Sequence, residues 1–380
     1  MPDAAARLVT KTLDSQALRD KWQTATPFSH LVIDDFVSET TLARLCQAVA
    51  GEPHWPIADE IVSAMASAPT VQHPDLRAFL DHVQSRPVRR QLEAIADLQL
   101  GQLLLRSYVY MPGHALLPHS DGRRGVQRRM AFVLYLHTDG CEGGDLRIYQ
   151  RTLDERGHGI AATISPQPGR LVLFGVDDDS VHEVTEVTAG ARVSLAGWFY
   201  APGIDPQAAA GIVATPPEFD VIELDAPLQP ETIDLAAPHI AAALRQDVPI
   251  RGRYRHADVA VEAPIVQRIV SRVAEQTGVT YAPLAAHLEI LTPGDYVLSA
   301  NDAARRPKQA RLVIVADLEG PRSPGGGEIV WHGAHGPVHV SHRTTRCITV
   351  VEHGLDLARY SRRFASTAAE QRAICLVIYA

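Results

Sequence analysis

Short apolar or alternating runs dominate the chain between residues 102 and 200. "QLLLRSYVYM" (102–111), "RMAFVLYLH" (129–137), "GDLRIYQ" (144–150), "GRLVLFGV" (169–176), "VHEVTEV" (181–187) and "RVSLAGWFY" (192–200) are separated by Gly, Pro and Asp turns. Side chains alternate across a strand, so this spacing predicts an all-β sandwich or barrel. Ahead of it, "HLVIDDFV" (30–37) reads as a strand and "SETTLARLCQAVAG" (38–51) as a helix capped by Ser38 and ended by Gly51. Residues 75–98 carry helical periodicity, so the β region is expected to pack on preceding helices.

The pattern then restarts. Residues 201–230 are rich in Pro and Ala with little periodicity and mark a boundary. Helical segments follow at 231–246 and 262–278, and short strands return to the end of the chain. The domain reading is 1–204, a linker at 205–230, and 231–380. Laying "YMPGHALLPHSDGRRGVQRRMAFVLYL" over "LTPGDYVLSANDAARRPKQARLVIVADL" brings Pro112-Gly113 onto Pro293-Gly294 without a gap. His119 then falls on Ala300 and Asp121 on Asp302. "EGGDLRIY" matches "GGGEIVWH", and Arg192 falls opposite Arg372. The fold class expected is α+β, mainly β, as two copies of one domain.

Composition narrows the function. At 380 residues, two domains are the natural division. No apolar run approaches the length of a bilayer span, and "MPDAAARLVTKTLDSQ" lacks the apolar stretch of a secretory signal, so neither membrane association nor export is expected. Four cysteines, Cys46, Cys141, Cys347 and Cys375, form no CxxC pair and suit a reducing cytoplasm. A net charge of −8 argues against broad nucleic-acid binding, which needs a basic footprint.

Candidate chemistry centres on "LLPHSDGRR" (116–124). In extended chain, residues i and i+2 point to one side, so His119 and Asp121 can reach one ion. His182 stands 63 residues after His119, behind an apolar strand and an acidic turn. Two histidines and a carboxylate on one face of an octahedron leave three positions open, the arrangement of a non-haem Fe(II) oxygenase. A bidentate 2-oxo acid fills two of them and O₂ the third. The far carboxylate of such a cosubstrate suits an Arg fork, and Arg192 lies ten residues after His182. Tyr135, in the strand "AFVLYLH", is placed to donate its hydroxyl to the same carboxylate.

Other residues compete for attention. The basic run holding Arg123, Arg124, Arg128 and Arg129 reads either as a solvated loop or as a positive rim that attracts an anionic substrate. Three more His-x-Asp pairs exist. In His73/Asp75 the aspartate is expected to cap a helix. His137/Asp139 ends a strand, with His137 a candidate for the pocket mouth. His256/Asp258 is the best decoy, because His353 and Arg363 also lie ten apart, but it precedes a helix and lacks the Pro-Gly turn.

The motif set "PHSDG…AFVLYL…EGGDLRIY…PQPGRLVLF…VHEV…ARVSLAGWFY" resembles the catalytic core of the prolyl-hydroxylase-type branch of the 2-oxoglutarate/Fe(II)-dependent oxygenases. The resemblance covers roughly residues 28–200, and "PFSHLVIDDFVSETTL" is similar to the N-terminal segment of the branch. It implies a double-stranded β-helix with Fe(II) on His119, Asp121 and His182. It also implies 2-oxoglutarate and O₂ as cosubstrates, a clamp at Arg192 and Tyr135, and ascorbate as an accessory reductant. The implied reaction converts 2-oxoglutarate to succinate and CO₂ while hydroxylating a C–H bond. Retention of Asp121 favours hydroxylation over halogenation, because related halogenases carry Gly or Ala there.

The tandem layout resembles the eukaryotic ribosomal prolyl hydroxylases, in which an active domain precedes a degenerate one. That implies a protein prolyl residue as substrate. A free amino acid or small biosynthetic intermediate is the alternative, with Arg123, Arg124 and Arg128 as carboxylate binders. A non-catalytic interaction or sensing protein is the third reading, and the intact triad ranks it last. Ala300 at the first ligand position, with Arg359 or Arg362 near the expected second histidine, leaves the C-terminal copy without an iron site.

Overall fold

The computed structural model describes residues 14–122, 127–151, 158–206, 221–224, 228–320, 326–333, 336–341, 347–352, 357–364 and 371–380. The chain divides into two compact units, Met1–Ile212 and Val213–Ala380. The segment read as a linker lies mostly outside the described residues.

The first unit opens with α1 (Ser15–Thr24), β1 (His30–Ile33), α2 (Glu39–Ala50), the hairpin β2 (Trp55–Ala58) and β3 (Val62–Ala66), α3 (Pro74–Gln84) and α4 (Arg86–Ala96). Asp14 caps α1 by accepting from the amides of Gln16 and Ala17, and Ser38 caps α2 at the Thr41 amide. The periodic stretch 75–98 is two helices, broken at Ser85, whose extended ψ of 147° ends the first, while Pro87 sits in the first turn of the second, where its missing N–H costs no helical bond. One expectation is corrected here. The cap of α3 is His73, whose Nδ1 accepts from the Asp75 amide, while Asp75 sits in the first turn and pairs with Arg44.

The strands that follow are β4 (Leu103–Tyr110), β5 (Ala115–His119), β6 (Arg128–His137), β7 (Glu142–Gly143), β8 (Leu146–Arg151), β9 (His158–Ile164), β10 (Leu171–Gly175), β11 (His182–Val184), β12 (Val187–Ala189) and β13 (Arg192–Tyr200). They form one curled antiparallel sheet in the order β1-β10-β6-β13-β4-β3-β5-β11-β8-β9, with β2 beside β3 and a small β12-β7 pair. β6 and β10 are apolar on both faces for a reason. Phe132, Leu134, Leu136, Leu171 and Leu173 cluster with Phe79, Leu92 and Ile95 from the helices and with Phe36 from the segment before α2. Ala131, Tyr135, Val172 and Phe174 face the interior of the curl.

The second unit contains β14 (Val221–Leu224), α5 (Pro230–Asp234), α6 (Ala237–Ala242), β15 (Leu244–Val248), β16 (Gly252–Val259), α7 (Pro264–Thr277), β17 (Ala285–Leu291), β18 (Tyr296–Val297) and α8 (Ser299–Arg305). β19 (Leu312–Glu319), β20 (Ile329–Gly333), β21 (Gly336–Ser341), β22 (Ile348–Glu352), β23 (Ala358–Ser361) and β24 (Ala373–Tyr379) complete it. The helix expected at 231–246 is two short helices and then a strand. The sheet order is β14-β22-β19-β24-β17-β16-β18-β23-β20-β21, with β15 beside β16. Matched in order, every strand of the main sheet in one unit has a counterpart in the other, so both units are double-stranded β-helices. Among the described residues no helix is long and apolar enough to cross a membrane.

Candidate active site

The first site histidine ends β5 and the second begins β11, and these strands pair with His182 directly opposite His119. The two imidazoles therefore lie side by side, 4.4 Å between ring centroids. Two residues beyond His119, the chain turns Asp121 back toward both. His119 Nε2 is 3.5 Å from Asp121 Oδ1, and His182 Nε2 is 3.6 Å from Oδ2. The turn depends on Gly122, because a Cβ there would lie 2.8 Å from the Asp177 backbone, in the loop leading to His182. "HSDG" thus joins two ligands to the glycine that lets their loop approach the third.

Hydrogen bonds orient each ligand. His119 Nδ1 contacts the Leu117 carbonyl at 2.8 Å, and His182 Nδ1 contacts the Ser180 carbonyl at 2.9 Å. A carbonyl can only accept, so Nδ1 carries the hydrogen in both rings and Nε2 presents its lone pair to the centre. Asp121 accepts from Trp198 Nε1 at 2.7 Å and from Arg128 Nη1 at 3.2 Å. The Arg128 guanidinium lies over the Trp198 ring at 3.7 Å, so the two donors brace each other.

Protonation suits metal binding. Burial pushes the His182 pKa down, the neighbouring His119 adds to the effect, and the result is about 4. Burial works to raise the Asp121 pKa, but the hydrogen bond with His119 and the charges of His182, His119 and Arg128 outweigh it and hold the carboxyl well below the usual range. His182 is neutral and Asp121 ionised at neutral pH, as a metal requires of its ligands. The three ligand atoms all lie within 4.8 Å of one another, close enough for one divalent ion to be held by all of them. Among the described residues this is the one cluster of three such donors.

These residues line a cavity of about 310 Å³. Arg192, at the start of β13, also lines it. Its guanidinium is buried between the rings of Tyr110 and Tyr135, at 5.0 and 4.8 Å. Gly144 makes room for the arginine stem, since a Cβ there would crowd Arg192 Cδ at 3.1 Å. Among the described residues, Arg192 Nε, Arg192 Nη1 and Tyr135 Oη have no hydrogen-bond partner. Burial raises the Tyr135 pKa against the pull of the Arg192 charge, and burial likewise raises that of Tyr110, so both phenols stay protonated donors. Buried polar groups left unpaired in this way fit an anionic group bound between them, such as a 2-oxo acid carboxylate.

The remaining sequence candidates are placed as follows. Arg128 lies at the triad, bonded to Asp121. Arg123 and Arg124 lie outside the described residues. His137 sits at the exposed end of β6 and does not line the cavity. His256 and Asp258 both engage Arg305, at 2.9 and 2.8 Å, and His353 lies outside the described residues. Trp198, Tyr110 and Arg106 line the cavity without having been singled out in the sequence. Each occupies an inward position of an alternating strand, and that phase was the available signal.

In the second unit the corresponding position is filled differently. Arg359 on β23 pairs opposite Trp331 of β20, as His182 on β11 pairs opposite Ile148 of β8, and the repeat aligns Ile148 with Trp331. Arg359, and not Arg362, therefore stands where the second histidine stands in the first unit. Its buried guanidinium holds Glu289 at 2.7 and 2.9 Å and Asp302 at 3.2 Å, and Tyr379 Oη donates to Asp302 at 2.8 Å. Arg372, the sequence counterpart of Arg192, is instead half exposed and pairs with Glu319 at 2.8 Å.

Comparison with known proteins agrees with this geometry. Residues 105–200 match the family model of the 2OG-Fe(II) oxygenase superfamily. That match over 105–200 and the intact His119-Asp121-His182 triad within it imply Fe(II) and 2-oxoglutarate for this site. Prolyl 3-hydroxylase OGFOD1 of Mus musculus is 38% identical over 134 residues, 34% of this chain and 22% of the relative. The Xenopus laevis protein of that name is 28% identical over 183 residues, 46% of this chain and 35% of the relative. The matched parts thus span about a fifth and a third of those proteins. A prolyl-4-hydroxylase structure from Pseudomonas putida aligns with a TM-score of 0.41 and 23% identity, covering 50% of this chain and all of that one.

Proposed function

We propose that the first unit is a 2-oxoglutarate- and Fe(II)-dependent hydroxylase acting on a prolyl residue of a protein. The observation that carries the reading is the convergence of His119, Asp121 and His182 in a cavity that Arg192 also lines, with unpaired Arg192 donors beside the buried, unpaired Tyr135 hydroxyl. Fe(II), 2-oxoglutarate and O₂ bound there supply the oxidative decarboxylation that yields succinate and CO₂ and places one oxygen atom in a substrate C–H bond.

The chain's own residues bind, orient and exclude water. The Leu117 and Ser180 carbonyls hold the imidazoles with Nε2 inward. Trp198 and Arg128 fix both oxygens of Asp121. Arg192 and Tyr135 take the far carboxylate of the cosubstrate where both side chains are buried and such bonds are strong. Val133, Leu116, Ala196 and Val184 give the cavity apolar walls. A pyrrolidine ring suits them, because a prolyl residue carries no N–H to satisfy. The two relatives named prolyl 3-hydroxylases support the same substrate and favour the C3 position. The second unit, with Arg359 closed on both carboxylates, holds no metal on this reading.

The test is turnover of 2-oxoglutarate in the presence of prolyl peptides, with mass spectrometry for a 16 Da gain and amino-acid analysis to separate 3- from 4-hydroxyproline. Hydroxyproline formed only with both Fe(II) and 2-oxoglutarate is expected. Succinate release with oxidation at another residue type would overturn the substrate.

A further inference from the structure

Resting on that reading, we infer that Arg106 is a specificity determinant that receives a substrate carboxylate beside the carbon to be oxidised. The floor of the cavity is a regular grid. β13 pairs with β4 on one side and β6 on the other, giving the rows Tyr108–Ser194–Tyr135, Arg106–Ala196–Val133 and Leu104–Trp198–Ala131. Alternation puts Arg192, Ser194, Ala196 and Trp198 on one face, and all four line the cavity. The Arg192 end takes the cosubstrate. Trp198, bonded to Asp121, marks the iron. The row between them has only the methyl of Ala196 at its centre, so a substrate group seated there meets Val133 on one side and Arg106 on the other.

Arg106 is unlike the other cations of this site. Arg192 is matched to the cosubstrate, and Arg128 is paired with Asp121. Among the described residues no carboxylate lies within ion-pair distance of Arg106. One of its nitrogens, Nη2, donates to the Ser67 carbonyl, and the guanidinium lies 5.5 Å from the Tyr108 ring centroid, so the head is anchored. Its Nε is buried without a partner among the described residues. Asp59, which also lines the cavity, accepts on Oδ1 from the amides of Ile61 and Val62 and makes no ion pair with Arg106. A held, half-buried guanidinium with a free donor and no counter-charge fits a carboxylate. An Asp or Glu flanking the proline in a peptide can supply it, and so can the α-carboxylate of a free amino acid.

The experiment uses the full chain with Fe(II) and 2-oxoglutarate. Twelve-residue peptides with one central proline and randomised neighbours are scored by mass gain, and L-proline is compared with L-prolinamide. Wild type is expected to enrich Asp or Glu at one flanking position, or to prefer proline over prolinamide, by about tenfold or more in KM. Arg106→Gln is expected to erase that preference and Arg106→Lys to keep part of it, while the Fe(II)/2-oxoglutarate absorption band titrates as in wild type. No carboxylate preference in either series, or a preference that survives in Arg106→Gln, overturns the assignment. Loss of the band in wild type would instead overturn the proposed activity itself.

Discussion

Trp198→Phe isolates one bond at the iron site. The indole Nε1 donates to Asp121 Oδ2 at 2.7 Å, and Asp121 is buried at 4% exposure. Phenylalanine keeps an aromatic ring beneath Arg128 and removes only this donor, so Arg128 alone braces the carboxylate from outside the triad. The lost bond makes the carboxylate more basic, which favours a cation, but also frees it to rotate toward Arg128. At a site whose three ligands are already brought together, orientation is the larger effect. A charge-assisted bond at a buried carboxylate contributes about 1.5–3 kcal/mol, or roughly 10- to 100-fold in metal affinity. Anaerobic titration with Co(II), and with Fe(II) in competition with a chromophoric chelator, reads the dissociation constant, and circular dichroism reports folding. An unchanged dissociation constant in a folded variant would refute the role given to Trp198.

Other outcomes follow from the same geometry. The folded pKa of His182, about 4, lies below its ordinary 6.5, so the unfolded chain binds that proton more tightly and stability falls as pH drops through this window. Thermal melts of metal-free protein from pH 7 to 4 should show the slope in wild type and a flatter one in His182→Gln, and equal slopes would contradict the burial argument. Arg359→Met leaves Glu289 and Asp302 buried without their cation, and urea unfolding should show a loss of about 3–5 kcal/mol. A loss under 1 kcal/mol would show that the cluster relaxes or takes up protons at little cost.

The chemistry was legible in the sequence where it sits in short motifs. His119 and Asp121 lie in one turn, and His182, Arg192 and Tyr135 stand at spacings that the strand pairing brings together. The repeat was legible for the same reason, since Pro-Gly turns and apolar phase recur in both units although Ala300 and Arg359 stand where the first unit has its histidines. The residues that complete the site were not. Trp198 and Tyr110 sit in runs whose apolar character core packing also explains, so the strand phase that singles them out acquires a meaning only once β13 pairs with β4 and one face becomes the cavity. Arg106 in a strand reads as a surface charge until its face is known. The hairpin β2–β3 hid in "WPIADEIVSAMA", where two short strands are interrupted by acidic residues. Helix α1 escaped because Trp22 is its one fully buried residue, which leaves little periodicity to detect.

The most direct measurement is anaerobic titration of the protein with Fe(II) and 2-oxoglutarate, following the weak visible charge-transfer absorption of a chelated 2-oxo acid. Wild type should develop the band, His182→Ala should lose it with the metal, and Arg192→Ala should require about 100-fold more 2-oxoglutarate to reach it. A band that forms equally well in both variants, or in neither variant nor wild type, would contradict an iron and cosubstrate site at these residues.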